Sequence, residues 1–212
     1  MKLFLGGNME TTLKTKEKKL RKRVPKVLIY EMRHGSPIYY RDYDKVVSGE
    51  KQLEEVMGSS GLQSWLIDLI VRFLHMTLSS KDYQLLFGEV GYKFASKSWY
   101  NLDIGIWEKE KVKPFLKKDK LVPVAPKVVI EIDTKADLRK FSTPQDYFHR
   151  KTQDLLDHGV DRVIWIFTKD KKIWIAEKEK PWLIVDWDYE IPVLEGVSFN
   201  LKRLIEEDES DK

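Results

Sequence analysis

The stretch over residues 126–167 constrains the fold most strongly, because it reads as a strand, a polar loop, a helix and a second strand. Its first strand is the short β-branched run Val128–Ile132, which is typical of a strand buried inside a sheet. Glu131 lies within this run and Asp133 follows it directly. An ionised carboxylate inside an apolar strand is costly unless a cation compensates its charge. The segment therefore predicts a metal ion or a lysine beside this strand.

The next element supplies a lysine, Lys151, on a helix whose two ends are well marked. Thr143 is a favourable N-cap, Pro144 suits the first helical position and Gly159 suits the position just past the end. The apolar run over residues 163–167 then predicts a second buried strand. This succession predicts an α/β (α+β) domain with a central mixed β-sheet flanked by helices.

Further segments complete the predicted sheet and its helical cover. Apolar and aromatic residues surround Gly35 within residues 27–47, which predicts an N-terminal β-hairpin. Strands are predicted over Tyr83–Ala95 and over residues 101–107. Residues 62–78 predict a core helix because their apolar side chains recur at helical spacing. The stripe consists of Leu62, Trp65, Leu66, Leu69, Ile70, Phe73 and Met76.

The chain of 212 residues, 42% of them hydrophobic, is long enough for one domain with a real core. We expect a basic N-terminal arm over residues 1–26, a single domain over residues 27–205, and a disordered acidic tail over residues 206–212. The arm either tracks phosphates or is simply a solvated terminus.

Composition narrows the functional classes. The absence of cysteine excludes disulfides, cysteine nucleophiles and thiolate metal sites. No apolar run is long enough to cross a bilayer, and together these features predict a cytoplasmic protein without a membrane partner. The net charge of +4, from 38 Lys and Arg against 34 Asp and Glu, is only mildly basic and gives weak support for nucleic-acid binding. A charged fraction of 34% is equally typical of a thermophilic source.

Asp103 and Glu131 lie on two predicted strands that would be neighbours in a meander. Two facing carboxylates form an oxygen-rich site that suits Mg²⁺ or Mn²⁺. Such an ion holds a phosphate oxygen and lowers the pKa of an attacking water, while Lys151 would stabilise charge in the transition state. The three residues predict phosphodiester hydrolysis. In a chain this rich in Lys and Glu, a structural ion-pair network is the alternative interpretation.

These residues resemble the PD-(D/E)XK restriction-endonuclease-like superfamily and, within it, the Uma-type restriction endonuclease family. The resemblance covers most of the chain and rests on N-L-D-I-G-I, V-V-I-E-I-D and Y-F-H-R-K-T-Q-D-L-L-D-H-G-V-D-R-V-I-W-I-F. It implies that Asp103 and Glu131 are the metal-binding acids and that Lys151 is the catalytic lysine, moved from the strand to the helix. Glu89 resembles an upstream acid often found near such sites, and the resemblance implies it as a further metal ligand.

Two positions depart from the superfamily pattern. Leu102 precedes Asp103 where the pattern has proline, and Asp133 stands two residues after Glu131 where the pattern has lysine. Asp133 cannot replace that lysine's charge, but it can add a metal ligand or cap the loop as a turn residue. The departure makes Lys151 essential to any activity.

The resemblance implies a restriction-endonuclease-like fold with the hairpin as its N-terminal extension, and a Mg²⁺- or Mn²⁺-dependent endonuclease that acts on DNA. Many proteins of this fold cut both strands as dimers, so a homodimer is a further expectation, with Trp and Tyr side chains around the hairpin as candidates for its interface. Two alternatives stay open. One is a nucleic-acid-binding or interaction module that keeps the fold without catalysis, and the other is a metal-dependent hydrolase of a different phosphoester.

Overall fold

The computed structural model describes residues 24–210. The predicted basic arm lies almost entirely outside the described residues, as do residues 211 and 212 of the predicted tail. The described α-helices are α1 (Tyr43–Ser48), α2 (Glu54–Met57), α3 (Gly61–Thr77), α4 (Lys109–Val112), α5 (Pro144–Asp157) and α6 (Leu201–Ser210). The described strands are β1 (Ile29–Arg33), β2 (Ser36–Tyr39), β3 (Tyr83–Ala95), β4 (Ser98–Glu108), β5 (Val128–Ile132), β6 (Arg162–Phe167), β7 (Lys172–Glu177), β8 (Leu183–Asp186), β9 (Glu190–Leu194) and β10 (Val197–Asn200).

Eight of these strands form one mixed sheet with the order β2-β1-β4-β5-β6-β7-β8, and β3 pairs with β4 off this path. The pairing of β5 with β6 is parallel, whereas the other pairings in this sheet are antiparallel. Helix α5 makes the crossover that a parallel pair requires. Strands β9 and β10 form a separate two-stranded sheet. The predicted central mixed sheet flanked by helices is confirmed.

Helices cover both faces of the sheet. On one face, Leu155 of α5 joins Val129 and Val163 in a buried cluster. On the other face, Ile70 of α3 joins Ile130 and its neighbours in a second buried cluster. Successive side chains of a strand point to opposite faces, so β5 is buried on both sides over its whole length. Glu131 shares the face of Val129, which is the face that α5 covers.

The N-terminal hairpin is built into the main sheet. His34 and Gly35 connect β1 to β2 with φ angles of 48° and 77°, which is the two-residue turn that suits the twist of a hairpin. Met32 of β1 pairs with Trp99 of β4 and so places the hairpin beside the central strands. Strand β2 ends earlier than the sequence predicts, because the chain turns at Asp42 with a φ of 62° and enters α1.

The core helix predicted over residues 62–78 is α3, but its buried face is rotated from the predicted stripe. Leu62 and Met76 are 47% and 79% exposed, whereas Gln63 and Leu74 are buried. The Ser60 hydroxyl accepts a hydrogen bond from the backbone N–H of Gln63 at 3.1 Å and caps the helix. Within the described part of the chain, no helix is long and apolar enough to cross a membrane.

The acidic C-terminal segment continues α6 as far as Ser210. Asp208 accepts hydrogen bonds from Trp65 at 3.2 Å and from Arg72 at 2.7 Å, both of which belong to α3. The prediction of a disordered tail is therefore wrong for residues 206–210. The segment reads as a charged terminus in sequence, but tertiary contacts with α3 order it.

Gly105 on β4 tests how tightly the central strands are packed. A Cβ atom at this position would lie under 3.0 Å from ring atoms of Trp107. That ring is buried and its Nε1 donates to the Val124 carbonyl at 2.9 Å, so it cannot move aside freely. We expect Gly105→Ala to lower the free energy of unfolding by about 1–3 kcal/mol, the usual cost of overpacking a core.

Gly58→Ala is the matched control, since its Cβ would meet only the Glu54 carbonyl at an ordinary 3.5 Å. We expect this variant to be neutral within about 0.5 kcal/mol. Urea denaturation of both variants and the wild type measures the difference. Equal stability of the two variants would show that Trp107 yields without cost.

Candidate active site

Asp103 and Glu131 lie side by side on β4 and β5. The two strands pair with Ile104 opposite Ile130, so the antiparallel register places Asp103 beside Glu131. The Asp103 carboxylate accepts a hydrogen bond from the Ile132 amide at 2.8 Å. Asp103 and Glu131 are 4% and 1% exposed. The register of two central strands therefore brings the two predicted metal-binding acids together in the interior.

Lys151 enters the same site from the buried face of α5. Its Nζ lies 2.7 Å from Glu31 Oε1 and 3.1 Å from Glu131 Oε1. It also donates to the Asn101 carbonyl at 2.8 Å. The predicted lysine thus reaches the predicted acid. It does so as a fully buried ion pair and not as a side chain that faces solvent.

Glu31 is a site residue that the sequence analysis missed. It lies on β1, is completely buried, and its Oε2 accepts a hydrogen bond from the Tyr147 hydroxyl at 2.8 Å. A signal was present, because Glu31 interrupts the apolar run of β1 just as Glu131 interrupts that of β5. The residue that ties the hairpin to the site is an acid within a buried strand.

The buried cluster holds more carboxylates than cations. Glu31 and Glu131 pair with the ammonium group of Lys151, and Asp103 is a third buried carboxylate beside Glu131. Burial raises the pKa of all three carboxyls; for Glu131, the Lys151 charge opposes this rise while Asp103 and Glu31 add to it. Burial lowers the pKa of Lys151, but the charges of Glu131 and Glu31 raise it well above its ordinary value. Such a cluster favours the uptake of positive charge.

The donor atoms fit a hard divalent cation. Glu131 Oε1 is buried and has no hydrogen-bond partner, because its contact with Lys151 is an ion pair without hydrogen-bond geometry. Asp103 and the Ile132 carbonyl add further oxygen atoms beside it. Mg²⁺ is usually held by one or two carboxylates together with water and phosphate oxygens. Within residues 24–210, no three His, Asp or Glu side chains are grouped to hold a metal ion, so the fit is to two carboxylates.

The other two acids proposed as ligands have partners outside this cluster. Asp133, at a φ of 53°, accepts hydrogen bonds from the amide and the hydroxyl of Thr168 at 3.0 Å and 2.5 Å. It caps the turn after β6, which is the loop role that the sequence left open. Glu89 lies in a bulge of β3 and pairs with Lys135. The structure does not bring either acid into a group with both Asp103 and Glu131.

A cleft of about 540 Å³ borders the site through Gln63. Gln63 lines the cleft and its side-chain amide also contacts the Asp103 carboxylate, so this side chain lies between the cleft and the buried Asp103. Its charged lining residues are the cations Arg41, Lys51, Lys135 and Lys169 and the acids Asp42, Glu55 and Asp133. The cationic residues of the cleft carry no local signal in the sequence, because they come from separate segments that only the fold brings together.

Comparisons with known proteins agree on the fold alone. No family model matches the sequence, and no curated protein matches it. One similar solved structure is that of a putative nuclease belonging to DUF820 from Anabaena variabilis, with a TM-score of 0.56 and 15% sequence identity. The match covers 83% of this chain and 89% of that chain. The two proteins share a mixed sheet flanked by helices.

Burial, together with the nearby carboxylates of Asp103 and Glu31, raises the pKa of Glu131 and predicts a particular pH dependence of stability. A carboxyl whose pKa is raised on folding stabilises the protein fully below its unfolded pKa, and this stability is lost as the pH rises towards the folded value. The ordinary value is 4.5 and the folded value is well above it. We therefore expect the stability of Glu131→Gln, relative to wild type, to rise from about pH 5 upward, by up to about 1.4 kcal/mol per pH unit.

Glu177→Gln is the matched control. Hydrogen bonds from Lys180 and Arg162 lower the pKa of Glu177 despite its partial burial, so its stabilising effect is complete above pH 4.5 and this variant should show no slope there. Urea denaturation at pH 5, 6, 7 and 8 measures both variants. If the difference in unfolding free energy between Glu131→Gln and wild type did not change with pH, Glu131 would ionise in the interior at no cost.

Proposed function

We propose that this protein is a metal-dependent endonuclease that hydrolyses phosphodiester bonds of DNA. The observation that carries the proposal is the buried pair of Asp103 and Glu131, with Lys151 paired to Glu131, next to a cleft lined by four Lys or Arg and three Asp or Glu side chains. The shared fold with a putative nuclease supports membership of the restriction-endonuclease-like superfamily. The narrower Uma-type assignment and a homodimer that cuts both strands belong to the proposal.

Asp103 and Glu131 would hold Mg²⁺ or Mn²⁺ in this reading. When bound, the ion supplies positive charge to a phosphate oxygen and a more acidic water. Lys151 fixes the Glu131 carboxylate, and the Glu31 carboxylate and the Asn101 carbonyl in turn fix Lys151. The carboxylates are thus pre-organised on rigid strands, and Lys151 would supply positive charge beside Glu131 that stabilises negative charge in the transition state.

The cleft supports a nucleic-acid substrate. Lys169 lines it and makes no ion pair with any other residue in the range 24–210. Arg41 donates a hydrogen bond to the Thr134 carbonyl at 2.7 Å. This partner is neutral, so the contact does not balance the positive charge of Arg41. Cationic side chains of this kind bind phosphates by releasing the counterions of the nucleic acid. Lys51, by contrast, is already paired with Asp42 at 2.7 Å.

A binding module without catalysis is the second candidate, and one observation favours it. Asp103 and Glu131 are almost completely buried, and the Gln63 amide stands between Asp103 and the cleft. A protein that kept this arrangement permanently would bind nucleic acid through the cleft cations and leave the phosphodiester intact. Cleavage and binding must therefore be measured separately.

Cleavage is tested with supercoiled plasmid, single-stranded DNA and RNA in Mg²⁺ or Mn²⁺. We expect metal-dependent cutting of DNA by the wild type. Asp103→Asn and Glu131→Gln keep side-chain size but remove a negative ligand, so each should lower the rate at least about 100-fold. Lys151→Met should lower it similarly, because it leaves Glu31 and Glu131 without their cation.

Asp157→Asn, at the exposed end of α5, is the control and should keep wild-type activity. Circular dichroism verifies that each variant is folded. Cutting that survives in both acid variants would place the active site elsewhere. DNA binding without cutting in either metal would favour the binding module.

Binding is tested by fluorescence anisotropy with duplex DNA in EDTA at several salt concentrations. Loss of one phosphate contact lowers the slope of log K against log salt by about 0.9. We expect this change for Lys169→Ala, together with weaker binding to all sequences. Lys178→Ala removes an exposed lysine that directly follows β7 and does not line the cleft, so it should leave the slope unchanged. Equal slopes for all three proteins would exclude the cleft as the binding surface.

A further inference from the structure

The side-chain amide of Gln63 occupies the point on which oxygen atoms of the candidate site converge. Its Nε2 lies 2.9 Å from the Ile132 carbonyl oxygen. It also lies 3.2 Å and 3.4 Å from the two carboxylate oxygens of Asp103. We propose that Gln63 is an internal plug of the cation site, and that a divalent cation enters from the cleft by displacing this amide. The inference rests on the proposed function and concerns the step that opens its site.

The chemistry of these contacts favours exchange for a cation. A carboxylate and a carbonyl only accept hydrogen bonds, so the amide nitrogen of Gln63 must face them. One NH₂ group with two protons faces three oxygens, and its contacts with Asp103 are longer than the 2.9–3.0 Å at which such bonds are most frequent. The amide nitrogen thus occupies the position that a cation would take among these oxygens, but it carries no positive charge.

The lysines nearest the plug already have carboxylate partners, and one of them, Lys135, pairs with Glu89. Lys151 is already shared between Glu31 and Glu131. The buried Glu131 Oε1 has no hydrogen-bond partner, and Glu131 stands next to Asp103 in the strand register. The Asp103 carboxylate and the Ile132 carbonyl therefore converge on one point next to a second buried carboxylate, an oxygen-rich setting that suits a divalent ion.

The plug is attached to the side of the site that can move. Asp103 and Ile132 belong to central strands that are hydrogen-bonded on both edges. Gln63 lies in the first turn of α3, borders the cleft, and has a long side chain with several rotatable bonds. Rotation of this side chain into the cleft would open a path to Asp103 without any change in the sheet.

The test is the binding of Mn²⁺ to the full chain, measured by the electron paramagnetic resonance signal of free Mn²⁺ and by calorimetry. Gln63→Ala removes the competing amide, so we expect its Kd for Mn²⁺ to fall about threefold to tenfold relative to wild type, the value of one or two neutral hydrogen bonds. Gln153→Ala removes an exposed glutamine of α5 and should leave the Kd unchanged. Adding Asp103→Asn to Gln63→Ala should abolish the tighter binding.

Gln63→Met removes the donor but keeps most of the volume, and it provides the same comparison if Gln63→Ala does not fold. Binding by the Gln63 variants alone, with none by the wild type, would support the plug in its strongest form. Wild-type binding that is unchanged or weakened in both variants would overturn the plug and leave the nuclease proposal standing. No Mn²⁺ binding by any of these proteins would overturn both.

Discussion

The structure depends on one buried ammonium group. Lys151 of α5 contacts Glu31 of the hairpin and Glu131 of the central strand, and it donates to the Asn101 carbonyl of β4. A single charge thus joins a helix, the hairpin and two central strands. A buried ion pair stabilises a fold only when each member keeps its partner, because a lone buried charge costs several kcal/mol. The contacts that position the candidate site are therefore the same contacts that hold the helix, the hairpin and the central strands together.

The parts that sequence predicted are those with local signals. Thr143, Pro144 and Gly159 mark the ends of α5, and the Thr143 hydroxyl caps that helix in the structure. The β-branched run of β5 predicted a strand buried on both faces. Asp103 and Glu131 each stood out as a carboxylate inside an apolar run. Their strands were predicted to be neighbours because they follow each other along the chain, and β4 does pair with β5. Their catalytic roles stay predictions.

The parts that sequence did not predict depend on tertiary partners. Glu31 becomes a site residue only because the hairpin joins the main sheet beside β4. Gln63 is buried because the face of α3 is rotated from its most apolar stripe, which trades exposure of Leu62 for a polar contact with Asp103. Asp133 is held by Thr168, a partner 35 residues away whose proximity no spacing rule reveals.

The burial of Asp103 and Glu131 has two opposite consequences for a site of this kind. Carboxylates that are 1–4% exposed do not meet a phosphate directly, yet burial is also what raises the attraction of Asp103 and Glu131 for a cation. Both demands are met if the ion reaches the acids first and the phosphate meets the ion from the cleft. Since the strands are fixed by their pairing, the Gln63 side chain is the element between cleft and acids that can yield. If the proposed function holds, movement of the Gln63 side chain would decide whether the protein only binds nucleic acid or also cuts it.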